Sequence, residues 1–271
     1  MPGGRSQAGR ASIHSGAKAA GPMLKVLGGI VVCGACLVGV VLYLGTGSHR
    51  LSRPPGTGMS TPPAEYGWDS DAPEISQAYV RPIVEQYLQT LPPGSRVLDL
   101  GCGNGAMLGT FLDRGWTLVG LDISTSGIEQ ARKRWPGVRF EVADATGDLS
   151  AFGQFDAIYS TEVIEHVVLA RRFAQNCFRL LKPGGIVVLS TPYHGWLKNV
   201  AIALSDGSDA HFGPQTDWGH IKFWSARTLG GLLWDAGFDQ VEYQGAGRVS
   251  YLWKSMVMTA RKPRTLVLPR R

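Results

Sequence analysis

The chain contains little cysteine, with 4 residues of this type among 271. Cys33 and Cys36 have the C-x-x-C spacing of redox and zinc sites, but they lie inside an apolar run and no second pair accompanies them. A thiolate in such a run would be poorly solvated, so we interpret both as small packing residues. Cys102 lies within a glycine-rich turn, where a small side chain fits. The cysteines therefore predict no disulfide framework.

Acidic residues are absent from both ends of the chain. Residues 1–64 contain six Lys or Arg and residues 261–271 contain five, with no Asp or Glu in either stretch. Residues 65–260 hold the other 16 basic residues and all 21 acidic ones, so the overall charge of +6 comes from the flanks. The central region carries no basic stripe, and we therefore expect no nucleic-acid partner.

Charge is also missing from residues 26–45, which form one apolar run of 20 residues. A helix of this length spans about 30 Å, the thickness of the hydrocarbon core of a bilayer. We predict a single transmembrane helix here, preceded by a basic leader at 1–25, and hence a single-pass membrane protein. A cleaved signal peptide would have a shorter apolar core and a shorter lead-in. An organelle-targeting leader, and so a mitochondrial membrane, is an alternative for a eukaryotic source.

Residues 46–74 are rich in Gly, Pro, Ser and Thr and predict a linker. From residue 75 to 260 apolar patterns of strand and helix alternate, which predicts an α/β fold with a doubly wound, mostly parallel, Rossmann-like sheet of seven strands. The expected strands are 96–100, 117–121, 138–142, 155–160, 186–191, 238–244 and 252–260. The expected helices are one that begins at residue 75 and stops at LPPG (91–94), and others at 105–113, 125–134, 163–181 and 226–236. Residues 261–271 form a basic tail.

The stretch VLDLGCGNG at 97–105 joins the first strand to a turn with glycines at alternate positions. Glycines there let backbone N–H groups lie against a polar ligand. Gly101, Gly103 and Ala106 also satisfy the dinucleotide fingerprint G-x-G-x-x-G/A, so the turn alone fits both NAD and S-adenosylmethionine.

Two acids end the next two strands. Asp122 follows 117–121 and is placed to accept hydrogen bonds from ribose hydroxyls, while Asp144 follows 139–143. The sequence LKPGG at 181–185 precedes the fifth strand. With the glycine turn, these motifs form an ordered set that resembles the class I S-adenosylmethionine-dependent methyltransferases over roughly residues 75–260.

The resemblance implies that S-adenosylmethionine is the cofactor and that the final strand runs antiparallel. Its implied binding residues are Asp99, Gly101, Gly103, Gly105, Asp122 and Asp144, with Asp122 at the ribose and Asp144 near the adenine. An NAD-dependent oxidoreductase is the rival interpretation, but neither a nicotinamide pocket nor a hydride-site base is recognisable.

The sequence EVIEHV at 162–167 follows the fourth strand, where amine-methylating relatives carry an Asn/Asp-Pro-Pro-aromatic tetrapeptide that this chain lacks. It resembles the O-methyltransferases of ubiquinone biosynthesis, and also the small-RNA 2′-O-methyltransferases, in which a Glu-x-x-Glu-His set binds a divalent cation. On a helix, Glu162, Glu165 and His166 would share one face and present two carboxylates and an imidazole to a metal such as Mg²⁺. In the alternative interpretation Glu165 faces solvent or pairs locally, and His166 alone acts as general base or supports the loop.

Two further histidines complete the candidate site. The resemblance to the RNA enzymes implies His220 as a fourth metal ligand, whereas a buried histidine that holds its loop is the alternative. His194 follows the fifth strand at the edge where α/β proteins bind ligands, which makes it a candidate substrate contact or base.

An insertion at 193–223 begins with a short apolar stretch from Trp196 to Leu204. It predicts either a lid that packs on the domain or a helix that enters the bilayer interface and admits a lipidic acceptor. We therefore expect a membrane-anchored methyltransferase that acts on a hydroxyl of a small or lipidic, quinone-like molecule. A catalytically silent, cofactor-binding scaffold is the remaining alternative.

Overall fold

The computed structural model describes residues 67–68, 72, 74–205 and 207–265. The predicted leader at 1–25, the apolar run 26–45 and most of the linker lie outside these residues. Among the helices that are described, none is both long and apolar enough to cross a bilayer.

Helices and strands alternate along the chain as the sequence predicts. The α-helices are α1 (Gln77–Leu88), α2 (Thr125–Arg134), α3 (Ala170–Leu180), α4 (Trp196–Leu204), α5 (Ser208–Phe212) and α6 (Ala226–Asp235). The strands are β1 (Arg96–Leu100), β2 (Thr117–Asp122), β3 (Arg139–Val142), β4 (Phe155–Thr161), β5 (Leu181–Pro192), β6 (Asp239–Ala246) and β7 (Ser255–Arg261). Two short 3₁₀ helices occupy Leu108–Arg114 and Ser150–Phe152.

The seven strands form one sheet in the order β3-β2-β1-β4-β5-β7-β6. Strands β1 to β5 are parallel, and β7 lies antiparallel between β5 and β6. The seven-stranded, mostly parallel sheet and its antiparallel last strand are therefore confirmed. The order reverses direction at β1, and in such sheets ligands bind beyond the carboxyl ends of the strands next to this point.

Both faces of the sheet are covered, which explains why the inner strands are apolar throughout. In β1, Leu98 belongs to a buried cluster with Phe173 of α3, whereas its neighbour Val97 belongs to a second cluster with Val84 of α1. Successive side chains point to opposite faces of a strand, so a strand buried on both sides has no position for an exposed polar residue. Asp99 is an acidic residue in this strand, and its side chain is buried like those of its apolar neighbours.

The helix predicted at 163–181 begins only at Ala170, and residues 163–169 form turns instead. The cause is visible at Glu165, whose backbone carbonyl accepts hydrogen bonds from the N–H groups of Ile221 and Lys222, each at 3.0 Å. A helix would need that carbonyl for the N–H four residues later. Glu162 also has a φ of 55°, outside the helical region. The prediction that Glu162, Glu165 and His166 share one helical face is therefore wrong.

Two smaller boundaries also differ. The helix predicted at 105–113 is a 3₁₀ helix over Leu108–Arg114. Strand β5 starts at Leu181 because this residue pairs with Phe155 across a register shift, so LKPGG belongs to the strand and not to the preceding helix. The insertion forms α4 and α5 and a loop that returns to α6.

Candidate functional site

The glycine turn after β1 is held against β2 by backbone hydrogen bonds. The N–H groups of Gly101 and Cys102 both donate to the carbonyl of Leu121, at 2.7 and 3.0 Å. Gly101, Gly103 and Gly105 have φ values of 87°, 52° and 71°, which residues with a Cβ rarely adopt. The alternate glycines are thus required by the path of the turn.

Asp122 lies at the end of β2 and faces this turn. Its Oδ2 accepts the N–H of Gly103 at 2.7 Å and its Oδ1 accepts the N–H of Ser124 at 2.8 Å. Burial raises the pKa of the Asp122 carboxyl, while these two N–H groups act in the opposite direction. Each oxygen has a further lone pair, so the oriented carboxylate retains capacity for two hydroxyl donors, as a ribose would provide.

Asp99 lies beneath the turn and is only 1% exposed. Its burial is the main reason that its pKa rises to about 8, and the charge of Asp122 raises it further. Asp99 is therefore mainly protonated at neutral pH. The sequence predicts the position of Asp99, but its protonated state can be inferred only from its burial in the structure.

Asp144 follows β3 and is exposed. Its Oδ1 accepts hydrogen bonds from the backbone N–H of Thr146 at 2.7 Å and from the hydroxyl of the same residue at 2.9 Å. The preceding Ala143 donates its N–H to the carbonyl of Asp122 at 2.8 Å. The two predicted cofactor acids therefore lie at the ends of neighbouring strands, on the same edge of the sheet.

Trp68 lies against the glycine turn, which the sequence analysis missed because residues 46–74 have a linker composition. A Cβ at Gly103 would lie 2.0 Å from the Trp68 ring, and one at Gly127 would lie 2.8 Å from it. The backbone N–H of Trp68 donates to the Ser126 hydroxyl at 3.1 Å. A lone tryptophan in a Pro- and Gly-rich stretch is the one signal that marks this contact in the sequence.

Three of the four predicted metal ligands come together in the turn after β4. Ligand atoms of Glu165, His166 and His220 all lie within 4.8 Å of one another. The Oε1 atom of Glu165 lies 3.9 Å from Nε2 of His220, and Thr191 donates its hydroxyl to the other carboxylate oxygen at 2.9 Å. The loop that carries His220 is held there by the carbonyl of Glu165. Glu165 thus contributes a candidate ligand atom through its side chain and anchors the His220 loop through its backbone.

His166 is oriented by the same loop. Its Nδ1 lies 2.9 Å from the carbonyl oxygen of Trp218 and 3.2 Å from that of Gly219. Two carbonyl acceptors favour the tautomer with a proton on Nδ1, which leaves a lone pair on Nε2. The rings of His166 and His220 are 4.9 Å apart, and burial, followed by the charge of His166, lowers the pKa of His220.

Glu162, the fourth predicted ligand, is not in this cluster. Its Oε1 accepts the hydroxyl of Ser190 at 2.7 Å, and its Oε2 accepts that of Ser255 at 3.1 Å. Burial raises the pKa of Glu162 to about 7, and its charge contributes to the raised pKa of Glu165, for which burial is again the main cause. The two carboxylates therefore form an electrostatically unfavourable buried pair at the edge of the candidate site.

His194 lies outside the cluster of ligands as well. It is buried among aromatic rings of the insertion, 5.2 Å from His211 and 5.1 Å from Phe223 between ring centroids. Burial, and next the charge of Lys198, lower the pKa of His194 to about 4. A neutral imidazole of such low basicity is poorly suited to accept a proton at neutral pH. Lys198, in the same insertion, is another residue that was not predicted from the sequence.

A cavity of about 740 Å³ lies beside the candidate histidines, and its described lining includes none of the predicted cofactor-binding residues. Trp68 from the segment over the glycine turn lines one part of it, and Glu162, His166 and His220 line another. The insertion contributes His211 and Phe212 from α5. Such a volume suits a small organic molecule bound next to the histidines.

The fold and these motifs agree with the comparisons to known proteins. A family model described as a methyltransferase domain matches residues 74–243. The phosphoethanolamine N-methyltransferase 2 of Haemonchus contortus, solved in complex with S-adenosyl-L-methionine, has a TM-score of 0.52 at 17% identity. That alignment covers 68% of this chain and 52% of the other and supports the fold alone.

Curated relatives point to the same family. The chain is 36% identical to a ubiquinone biosynthesis O-methyltransferase of Chelativorans sp. (strain BNC1), over 48% of this chain and 55% of that protein. It is 32% identical to the 2-methyl-6-phytyl-1,4-hydroquinone methyltransferase of Synechocystis sp. (strain ATCC 27184 / PCC 6803 / Kazusa), over 50% of this chain and 44% of that protein. The matches thus span about half the length of these relatives. The chain belongs to the class I S-adenosylmethionine-dependent methyltransferases and resembles their ubiquinone-type members.

Proposed function

We propose that this protein transfers a methyl group from S-adenosylmethionine to a hydroxyl of a small or lipidic, quinone-like acceptor at a membrane. The observation that carries the proposal is the cavity lined by Glu162, His166 and His220 and by Trp68, whose ring lies against the glycine turn. The activities that the relatives are named for, O-methylation in ubiquinone biosynthesis and methylation of a hydroquinone, support a hydroxylated ring as acceptor.

The cluster offers a divalent cation one carboxylate and two imidazoles, although Mg²⁺ itself prefers oxygen ligands. Within the described residues, Oε1 of Glu165 is buried and has no hydrogen-bond partner. Ligand atoms of Glu165, His166 and His220 nevertheless lie within 4.8 Å of one another. His166 has its Nδ1 against backbone carbonyls, the arrangement that directs Nε2 towards a metal. A positive charge here would also relieve the repulsion between Glu162 and Glu165. A bound cation would polarise the acceptor hydroxyl and lower its pKa.

The chain's own residues would act by orientation and proton transfer. Asp122 would hold the ribose, and the glycine turn would fix the position of the donor's methyl group relative to the cavity. Where no cation is bound, the Nε2 lone pair of His166 would instead accept the proton of the acceptor hydroxyl. Trp68 and the insertion would exclude water from the cavity and so limit hydrolysis of the donor.

The membrane location is proposed from residues 26–45, which lie outside the described part of the chain. Their uncharged length matches a bilayer, and a quinone-like acceptor with an isoprenoid tail is found in the same lipid phase. A single-pass anchor would thus keep enzyme and acceptor together.

The test is a methyl-transfer assay with the full chain in detergent or vesicles, labelled S-adenosylmethionine and a short-tailed hydroquinone with free ring hydroxyls. We expect a methyl ether, identified by mass spectrometry, and at least about a 100-fold lower kcat for Glu165→Gln, because the change removes a candidate cation ligand and with it the assistance to deprotonation of the acceptor hydroxyl. The matched control is Glu129→Gln on the exposed face of α2, which should leave kcat unchanged.

Chelation distinguishes a cluster that binds a cation from one in which His166 acts as a base without metal. Loss of activity with EDTA and its recovery with Mg²⁺ would support the cation, whereas indifference to EDTA would leave His166 as a metal-free base. Normal binding of S-adenosylhomocysteine without any product from hydroxylated quinols or lipid extracts would contradict the proposal and favour a silent scaffold.

A further inference from the structure

Helix α4 buries its charged residue and exposes its apolar residues, the opposite of an ordinary surface helix. Its one charged residue, Lys198, is its buried residue, at 8% exposure. The apolar side chains at its ends, Trp196 and Leu204, are 79% and 83% exposed, and Leu197 and Val200 are also exposed. Helices on a water-facing surface turn their apolar side inwards and their charges outwards. The exposed face of α4 is therefore built for apolar surroundings.

A hydrogen bond holds the buried side chain of Lys198 in place. Its Nζ donates to the backbone carbonyl of Lys254 at 3.2 Å, and this bond joins α4 to the loop between β6 and β7. Burial lowers the pKa of Lys198 to about 8, with the charge of Arg248 acting in the same direction and that of Glu162 opposing it. The orientation of α4 is thus fixed by a specific contact next to the candidate site.

The adjacent loop, residues 247–254, extends the apolar surface. Val249 is 70% exposed and Tyr251 is 57% exposed, and the cationic residues Arg248 and Lys254 stand beside them. Neither α4 nor this loop contains an acidic residue. Exposed Trp and Tyr with flanking Lys and Arg match the interface of a bilayer, where aromatic rings lie at the headgroups and cations meet lipid phosphates.

We infer that α4 and the loop 247–254 dock onto the surface of a phospholipid bilayer, with α4 lying in the interface. The inference rests on the membrane location proposed above. A bilayer is favoured over a second protein chain because this chain carries an apolar run of bilayer length at 26–45 and because the exposed cations complement anionic lipids. Helix α5 follows α4 and lines the cavity with His211 and Phe212, so docking would bring the cavity close to a lipidic acceptor.

The test places a fluorescent label on α4 in the full chain. Leu204→Cys is made in a Cys33→Ala, Cys36→Ala background and labelled with an environment-sensitive dye, since Cys102 and Cys177 are buried. The protein is reconstituted into phosphatidylcholine–phosphatidylglycerol vesicles with or without brominated phosphatidylcholine. For a residue about 5–10 Å below the headgroups we expect a blue-shifted emission that falls about twofold with the brominated lipid. The control is Lys133→Cys on α2, which should show neither change.

The outcomes separate this inference from the membrane location. Protein that fails to float with the vesicles contradicts the anchor itself. Protein that floats but carries an α4 label in water, as the Lys133 label is, overturns the docking of α4 alone. A blue-shifted label that brominated lipid does not quench means that protein covers α4, which also overturns the inference. Unchanged binding of S-adenosylhomocysteine verifies that each labelled variant is folded.

Discussion

The cofactor side and the acceptor side of the site are built in different ways. The cofactor side consists of a glycine turn after β1 and of acids within β1, at the end of β2 and shortly after β3, so each lies in or next to its strand in the sequence. The acceptor side joins Glu165 and His166, after β4, to His220, which lies more than 50 residues away in an insertion. The first is held by the sheet and its turns, whereas the second depends on the contact between two loops.

The largest expected effect on the cofactor side comes from Asp122→Ala. The change removes the carboxylate that is placed to accept two ribose hydroxyls, so we expect the affinity for S-adenosylhomocysteine to fall about 100-fold or more, in line with about 1.5–3 kcal/mol for each charged hydrogen bond. Isothermal titration calorimetry on the full chain measures this directly.

The control for that experiment is Asp113→Ala, an exposed acid in the first 3₁₀ helix. It should leave the affinity unchanged, as should Glu165→Gln on the acceptor side. Equal affinities in the wild type and the Asp122 variant would contradict the assigned ribose contact. A large loss in the Glu165 variant would instead show that the two sides are not independent.

The cofactor side was predictable because its signals are local. An apolar strand that ends in Asp-x-Gly-x-Gly-x-Gly, and an acid at the end of the next strand, define both the residues and their place on the sheet edge. The parallel strands bring Asp122 and Asp144 to the same edge without any further information. The sequence also predicted the reversal of the last strand through its resemblance to the family.

The acceptor side was predictable only in part, because its geometry depends on contacts between distant residues. The spacing of Glu162, Glu165 and His166 suggested a helix, but the carbonyl of Glu165 bonds to the loop at 221–222 and no helix forms there. The periodicity of a sequence gives no information about a hydrogen bond between such distant residues. The same holds for the buried position of Lys198, since an apolar stretch with one lysine ordinarily predicts a lysine that faces water.

A second prediction concerns the neutral Asp99 beneath the glycine turn. A carboxyl whose folded-state pKa is about 8, above its unfolded value, stabilises the fold at low pH and loses that contribution as the pH rises towards 8. The free energy of unfolding should therefore fall by up to about 1.4 kcal/mol per pH unit from this group between roughly pH 4 and 8.

In Asp99→Asn that part of the slope should disappear, so the melting temperatures of the wild type and the variant should draw apart as the pH rises from 5 to 8. Thermal unfolding of the full chain in detergent, followed by circular dichroism at several pH values, measures the difference. Parallel curves for the two proteins would show that Asp99 is ionised in the folded state.

A smaller effect is expected where Trp68 contacts the turn. Gly103→Ala places a Cβ against the Trp68 ring at a residue with a φ of 52°, and strain of this kind costs about 1–3 kcal/mol. The melting temperature should fall by several degrees. Gly94→Ala is the matched control, because Gly94 also has a positive φ, of 82°, and nothing lies within 4 Å of its Cβ position, so it should melt higher than Gly103→Ala. Similar values for both variants would argue against a tight contact with Trp68.

The smallest effect is expected at His194, on the acceptor side but outside its cluster. Its low pKa and its position among aromatic rings make it a packing residue of the insertion and not a base, so His194→Gln should lower kcat less than about threefold, well short of what loss of a general base produces. The pH profile of kcat is the decisive measurement, since a packing role leaves its acidic limb unmoved. A loss as large as that of Glu165→Gln, with a shifted acidic limb, would move the proton acceptor from His166 to His194 and place the acceptor hydroxyl next to α4.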